Sequence, residues 1–155
     1  MSSKSAKLAW VTAVGAVAVG AVALPGALAL NKPGTVTISS AKSKHMYVDA
    51  GAPGRGPGDV DIYRSILYNK RIQAKPLGHA EMVCTSVTAT MQNCNGTYFL
   101  PRGEIVVSGV VSSRLIYILA VVGGTDLYNN VRGTLTVTSV RRSPPRDLLV
   151  FRLIV

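Results

Sequence analysis

The stretch LIYILAVVGGTDLYNNVRGTLTVTSVRR, residues 115–142, decides the fold. It opens with eight consecutive apolar residues, turns at a Gly-Gly pair (123–124) and resumes with an alternation in which Thr134, Thr136 and Thr138 share one face. Two such segments separated by a glycine turn predict two strands that pair antiparallel. Because the first strand is apolar on both faces, one face should point into a core or cavity, and the other should meet a further apolar surface such as a second subunit.

The same pattern of short β-branched runs recurs along the chain. No window after residue 30 shows a sustained apolar period of 3.6 residues, so no helix is predicted there. Gaps between the later runs are too short for crossover helices, so neighbouring strands should pair antiparallel. Closing the sheet removes exposed edges, and we therefore predict an all-β fold, an eight-stranded antiparallel β-barrel, in preference to a β-sandwich. The predicted strands are 35–40, 59–67, 78–88, 92–100, 103–111, 115–122, 131–141 and 148–155.

The one long gap between predicted strands spans residues 41–58. Its second half, residues 51–58, contains four glycines and two prolines. We interpret the gap as a flexible loop that forms a rim or lid over an opening. A glycine-rich phosphate-binding loop is a poor alternative, because such a loop opens a helix and no helical pattern follows here.

The first 29 residues have the layout of a secretory signal peptide. Lys4 and Lys7 precede an uncharged run of 23 residues, which ends in an Ala-Leu-Ala cleavage site at 27–29. We therefore predict a signal peptide at 1–29, a barrel domain at 30–155, and a secreted protein with no stable membrane anchor. The alternative is an uncleaved anchor, because 23 uncharged residues can span a bilayer.

Composition excludes several classes of protein. Apolar residues make up 48% of the chain and charged residues 15%, which excludes an intrinsically disordered protein. The formal net charge is +10, and removal of the leader with its two lysines lowers it to +8. The remaining basic residues are dispersed and do not interleave with aromatic residues, so no nucleic-acid partner is predicted. His45 and His79 lack metal-ligand spacing; we predict surface or turn histidines and no metal site.

Cys84 and Cys94 flank a predicted hairpin and lie equally far from residue 89. If residue 89 centres the turn, the two cysteines are directly opposed on adjacent strands, within the usual disulfide range. A disulfide is therefore predicted in an exported protein. No Cys-x-x-Cys motif is present, which argues against a redox role.

The segment Gly-Gly-Thr-Asp-Leu-Tyr at 123–128, followed by Val-Arg-Gly at 131–133, resembles the Gly-Gly-Thr-Gly-x-aromatic…Arg-Gly signature of dirigent proteins. Allene oxide cyclases share a similar element. Other motifs agree in order and extend the resemblance over residues 35–155: Gly58-Asp59, Gly78-His79-Ala80, Gly96-Thr97-Tyr98-Phe99-Leu100 and Gly103-Glu104-Ile105. Two positions depart from the family pattern, since Arg64-Ser65 stands where plant dirigents carry paired acidic residues and Asp126 replaces the motif's glycine.

The resemblance implies an eight-stranded antiparallel barrel with a largely apolar cavity, often assembled as a trimer. Dirigent proteins orient phenoxyl radicals during coupling, and allene oxide cyclases cyclise an unsaturated epoxide. Neither activity needs a cofactor, because a rigid pocket restricts the conformers of a reactive intermediate and a few polar groups polarise it. We accordingly expect a hydrophobic small molecule as partner, no cofactor, and a homo-oligomer, either a dimer or a trimer.

The site candidates are charged and aromatic residues, beginning with Asp61 and Tyr63, which share one face of the second predicted strand. A carboxylate could serve as an acid, a base or a stabiliser of positive charge, and an arginine could stabilise an oxyanion. The alternatives are an ion pair between Arg132 and Asp126 or Asp61 that organises a loop, and tyrosines that only pack in the barrel. The catalytic candidates are Asp61, Asp126 and Arg132, and the ligand-binding candidates are Tyr63, Tyr117 and Tyr128.

Two functional hypotheses follow from these residues. The first is a cofactor-independent cyclase or dirigent-type protein that acts on a hydrophobic metabolite. The second is a non-catalytic secreted barrel that binds a small apolar ligand or has a structural role. A cavity holding a desolvated carboxyl group beside a tyrosine or arginine would favour the first hypothesis.

Overall fold

A computed structural model describes residues 34–69, 75–112, 115–142 and 145–154. The predicted signal peptide at 1–29 lies outside the described residues. No helix in these ranges is long and apolar enough to cross a membrane. Secretion and cleavage therefore stay predictions.

Eight antiparallel strands close into one barrel in which every strand pairs with its neighbours in sequence and β1 pairs with β8. The predicted fold is thereby confirmed. A short 3-10 turn, Asp126–Tyr128, connects two of the strands. The strands are β1 Gly34–Val48, β2 Val60–Asn69, β3 Pro76–Ser86, β4 Met91–Leu100, β5 Gly103–Ser112, β6 Ile116–Gly124, β7 Arg132–Arg142 and β8 Pro145–Ile154.

The first strand departs furthest from its predicted bounds. β1 continues to Val48, eight residues past the predicted end at Ser40, and pairs with β2 as far as Val48 opposite Val60. The added segment carries few β-branched residues, and a register shift between Lys42 and Lys44 interrupts its alternation. Pairing with β2, rather than local propensity, makes it a strand. The loop shrinks to residues 49–59.

The barrel interior divides into two halves along its axis. Large apolar side chains fill the interior of one half, which we call the packed half. This half is at the end of the barrel that carries the β2–β3, β4–β5 and β6–β7 connections. Tyr98 meets the ring of Phe151 edge-on at 5.1 Å and forms the boundary. The other end, the cavity half, carries the β1–β2 and β3–β4 connections and is open inside. The packed half contains Ile38, Leu67, Ile105, Val107, Leu119, Val121, Leu135, Phe151 and Leu153.

The outer face of β6 is apolar, as its sequence predicts. Ile116, Ile118 and Val122 point outward and are 57%, 59% and 44% exposed. Inward neighbours on the same strand, such as Leu119, are buried. The strand is thus apolar on both faces, and its outer side is available for the predicted subunit contact, which stays a prediction.

Candidate functional site

A cavity of about 420 Å³ occupies the cavity half and opens at its end of the barrel. Its volume falls within the usual range for small-molecule sites. Apolar walls come from Ala80, Met82, Val111, Val137 and Leu149. The polar lining comes from Ser40, Lys42, Arg55, Tyr63, Ser65, Ser86, Thr90, Gln92, Tyr98, Ser112, Tyr117 and Asp147.

Asp61 is the centre of a hydrogen-bonded cluster at the cavity mouth. Its side chain is fully buried, and three neighbours hold its two oxygens. His45 Nε2 lies 2.6 Å from Oδ1, Arg55 donates to Oδ2 at 3.1 Å, and Gln92 Nε2 donates to Oδ2 at 2.5 Å. Burial opposes ionisation of Asp61, but the bonds from His45, Gln92 and Arg55 outweigh it and hold the pKa of Asp61 below its ordinary range. The Asp61 carboxylate is therefore ionised, and its two oxygens are already bonded to these three side chains.

The glycine-rich loop owes its shape to a second buried carboxylate, that of Asp59. Its Oδ1 accepts a bond from the Ala50 amide at 3.0 Å, and its Oδ2 accepts bonds from the Gly56 amide at 2.6 Å and the Tyr47 hydroxyl at 2.7 Å. These bonds lower the pKa of Asp59. They also fix the loop so that Arg55 reaches Asp61 and lines the cavity, which agrees with the predicted rim.

A third carboxyl group, Asp147, lines the cavity itself. It projects inward from β8, opposite Ser139 on β7. Burial raises the pKa of Asp147, and nearby Lys42 and Ser139 offset this only in part. The same desolvation raises the pKa of Tyr117 to about 12 and also raises that of Tyr98, and both tyrosines feel the charge of Asp147. Asp61 and Asp147 are therefore pushed toward opposite protonation states.

The predicted disulfide between Cys84 and Cys94 is present and lies on the cavity wall. The two residues are direct partners across β3 and β4, with their Cα atoms 4.0 Å apart. The next inward pair toward the mouth is Ser86 and Gln92, and Gln92 donates to both Ser86 Oγ and Asp61. The disulfide thus fixes the pair of strands that presents Gln92 to the carboxylate.

Of the six predicted site residues, the structure brings three to the cavity half. Tyr63 and Tyr117 line the cavity, whereas Asp61 lies behind Arg55 and Gln92 and does not line it. These contacts give Asp61 a positioning role, since it holds the groups that do face the cavity. Its predicted role as acid or base is not tested by the structure.

The other three predicted residues, Asp126, Tyr128 and Arg132, lie at the opposite end of the barrel. Successive connections in an antiparallel barrel alternate between its ends, and the β6–β7 connection is at the packed half. Asp126 and Arg132 are exposed and Tyr128 is half-buried against the core. Within the described part of the chain, Arg132 forms no ion pair with Asp61 or Asp126, and its guanidinium donates to the Val131 carbonyl at 2.9 Å.

The Gly-Gly-Thr segment has a structural role in this turn. A Cβ on Gly124 would lie 2.6 Å from the carbonyl oxygen of Tyr128, closer than packed atoms can approach. Asp126 adopts a φ of +50°, in the left-handed region where the family motif has glycine and which aspartate tolerates better than most residues. The amide of Thr125 donates to the carbonyl of Glu104 at 3.0 Å and ties the turn to β5.

Four residues at the site were missed by sequence reasoning: His45, Arg55, Gln92 and Asp147. His45 was interpreted only as a surface or turn residue, and although it is 43% exposed it also contacts Asp61. Arg55 sits in a glycine-rich loop whose path depends on Asp59. Asp147 has a signal in the sequence, because a single acidic residue preceding the apolar run of β8 is an anomaly in a buried strand.

The structure defines a closed eight-stranded barrel with a partly polar internal cavity. No family model and no curated protein matches the chain. Solved structures do match. One is described as pyocyanin demethylase; it is 29% identical, with 77% of this chain and 98% of that chain covered and a TM-score of 0.67.

Two further solved structures share the barrel at lower identity. A pterocarpan synthase dirigent protein is 19% identical, with coverage of 79% of this chain and 93% of that chain and a TM-score of 0.59. A Diels–Alderase from Streptomyces koyangensis is 18% identical, with coverage of 81% and 71% and a TM-score of 0.57. The chain therefore has the barrel fold of dirigent proteins and cyclases, and the predicted resemblance is confirmed at the level of the fold.

Proposed function

We propose that the barrel binds a small, largely apolar molecule in its cavity and directs that molecule's cyclisation or coupling without a cofactor. The observation that carries this proposal is the cavity of about 420 Å³, which both Asp147 and Tyr117 line and in which burial raises the pKa of the Asp147 carboxyl group. An open cavity holding a desolvated carboxyl group argues against a filled, purely structural barrel and supports the first hypothesis. The dirigent and Diels–Alderase barrels of the same fold support the proposal.

The chemistry that suits this cavity is conformational control assisted by a weak acid. A cyclisation rearranges bonds within one molecule, so atoms and electrons balance with no oxidant. A coupling reaction requires radicals made elsewhere, and the cavity then fixes only their relative orientation. In both cases rigid walls lower the entropy cost of the productive conformer, and hydrogen-bond donors stabilise charge that develops on the substrate.

Rigidity at the mouth comes from the two occupied carboxylates. Asp59 fixes the loop, and Asp61 fixes Arg55, His45 and Gln92. Because the oxygens of both carboxylates are bonded, these side chains are held in place at the mouth before any ligand enters. We further propose that residues 1–29 direct export and are removed, which would place this activity outside the cell.

The direct experiment is native mass spectrometry of the full-length chain after expression in a host that can export it. The mass reports cleavage of the leader, the number of subunits, and any bound small molecule. Pyocyanin is the first probe to add, because the neighbour named for its demethylation is 29% identical over nearly its whole length. The mass and retention time of the recovered molecule distinguish a bound, a rearranged and a demethylated product.

A cavity-filling variant and a matched control make this test specific. Ala80 lines the cavity, whereas Ala120 points outward from β6. Ala80→Phe should abolish ligand binding, and Ala120→Phe should leave it unchanged, with circular dichroism confirming that both barrels fold. Equal binding by both variants would show that the ligand lies elsewhere and would refute the proposal. If an added molecule binds but is not chemically changed, the protein is a non-catalytic carrier, as the second hypothesis states.

A further inference from the structure

Lys42 brings a positive charge to the wall of the cavity. It lies opposite Ser65 in the pairing of β1 with β2, and both residues line the cavity. The ammonium group lies over the ring of Tyr63, 4.7 Å from its centroid, which is close enough for a cation–π contact. Among the residues that the structure describes, no carboxylate oxygen lies within 4.0 Å of this ammonium group, so its charge has no ionic partner there.

The carboxyl groups of the cavity half are placed so that they do not neutralise Lys42. Three side chains hold the two oxygens of Asp61, at 2.5, 2.6 and 3.1 Å. The oxygens of Asp59 accept bonds from two loop amides and one tyrosine hydroxyl. Asp147 lines the cavity as well, but burial raises its pKa and disfavours its charged form, which Lys42 offsets only in part. The charge of Lys42 is therefore left largely uncompensated.

Entry of a ligand makes this uncompensated charge important. An apolar molecule that fills the cavity displaces water, and an ammonium group that loses water without gaining a bond is destabilised. A carboxylate on the ligand replaces the lost water with a charge-assisted hydrogen bond. The apolar part of such a ligand contacts the walls formed by Met82, Val111, Val137 and Leu149. The cavity thus suits a molecule that is acidic at one end and apolar over the rest.

We propose that Lys42 binds the acid group of the ligand, and that the ligand is an organic acid with one carboxylate and an apolar body. The inference deepens the proposed function and rests on it for the existence of a small molecule bound in the cavity. The formal net charge of the chain is +10, so the protein also attracts anions from a distance. Variants at single lysines separate the local contact from this general attraction.

A matched acid and amide test the site without requiring turnover. 2-Naphthoate and 2-naphthamide have the same ring system and nearly the same shape, but only the acid is charged at neutral pH. Dissociation constants for both are measured by titration calorimetry on the full-length purified protein at low ionic strength. We expect the wild type to bind the acid about 5- to 20-fold more tightly than the amide, the effect of one partly exposed charged contact.

Substitutions at two lysines assign the preference to one side chain. Lys42→Met removes the charge from the cavity wall and should bring the two dissociation constants to within about 2-fold of each other. Lys44→Met is the matched control, because it removes the same charge from an exposed position opposite Arg64, outside the cavity. This control should keep the preference for the acid. Lys42→Arg keeps the positive charge and should keep the preference within about 3-fold of that of the wild type.

Several outcomes overturn the inference. If the wild type binds acid and amide equally, or if Lys42→Met keeps the preference, Lys42 does not bind an acid group. If Lys44→Met loses as much of the preference as Lys42→Met, the attraction is general and no local site exists. If neither probe binds, the acid site is refuted as well, and native mass spectrometry alone decides the proposed function. A preference for the acid that depends on Lys42 supports the inference even when no added molecule is cyclised or coupled.

Discussion

The packed half and the cavity half are built from the same strands, and they differ in the side chains that each strand directs into the barrel. On β8 the inward residues run from Leu153 and Phe151 in the packed half to Leu149 and Asp147 at the cavity. On β2 they run from Leu67 to Ser65 and then to the polar residues near the mouth. Each strand therefore contributes to the core at one end and to the site at the other. Because the packed half stabilises the barrel, the cavity half can contain polar side chains and unfilled volume.

The largest difference between the halves should appear when a buried leucine is removed from each. Leu135 and Leu149 are both almost completely buried, but only Leu149 borders the cavity. Leu135→Ala should lower the free energy of unfolding by about 4 kcal/mol, and Leu149→Ala by about 2 kcal/mol, because Leu149 already lacks neighbours on one side. Denaturant unfolding curves measure both. Equal losses would mean that the cavity half is packed as tightly as the other.

Loss of the disulfide should produce the next largest effect. Replacing Cys84 and Cys94 together by serine opens a short loop and should lower the free energy of unfolding by about 2–3 kcal/mol. The variant should also bind cavity ligands more weakly, because Gln92 loses the constraint beside it. Unfolding of the wild type with and without a reductant supplies the control. Peptide mapping that finds two free thiols in the unreduced protein would contradict the pairing.

Acid should affect the two cavity-half carboxyl groups in opposite directions. The pKa of Asp61 is lowered on folding, so its stabilising contribution is present above the ordinary value of 3.8 and disappears as the pH falls through its folded pKa. The pKa of Asp147 is raised, so its contribution is present below 3.8 and disappears as the pH rises through its folded pKa.

Variants isolate these two contributions. Asp61→Asn should be less stable than wild type at neutral pH, and the deficit should shrink below about pH 4. Asp147→Asn should be at least as stable as wild type at neutral pH, with its relative stability falling in acid. Thermal unfolding between pH 2.5 and 7 measures both effects, which we expect to be smaller than that of the disulfide. If the stability difference from wild type changed with pH in the same direction for both variants, Asp61 and Asp147 would not be in opposite protonation states.

The smallest effect should come from the turn at the packed half. Asp126→Gly restores the family's glycine at a φ of +50°, and relief of the left-handed backbone should raise the free energy of unfolding by about 0.5 kcal/mol. Affinity for a cavity ligand should not change, because the residue is at the opposite end from the cavity. A loss of binding or of turnover would support the catalytic role that the sequence predicts for Asp126.

The fold could be predicted in detail because its determinants are local. The strand pattern, the glycine turns and the symmetric placement of Cys84 and Cys94 all act over a few residues, and each is confirmed. The C-terminal part of β1 was the exception, since residues 41–48 form a strand because they pair with β2 and not because of their own β-propensity.

The site was harder to predict because it depends on which end of the barrel each residue reaches. Family resemblance drew attention to Asp126, Tyr128 and Arg132, whose motif is specific because the turn is sterically demanding. A motif that backbone packing demands does not by itself locate a ligand site. Arg55 reaches the cavity only through a loop folded around a carboxylate, and no short pattern encodes that path.

The packed half of the barrel determines how a molecule can enter and leave the cavity. It blocks one end, so a molecule that enters by the mouth between Arg55 and Thr90 must leave by the same route. Under the proposed function, substrate cannot arrive while product remains, so product should compete directly with substrate. The rate of product release then sets an upper limit on turnover.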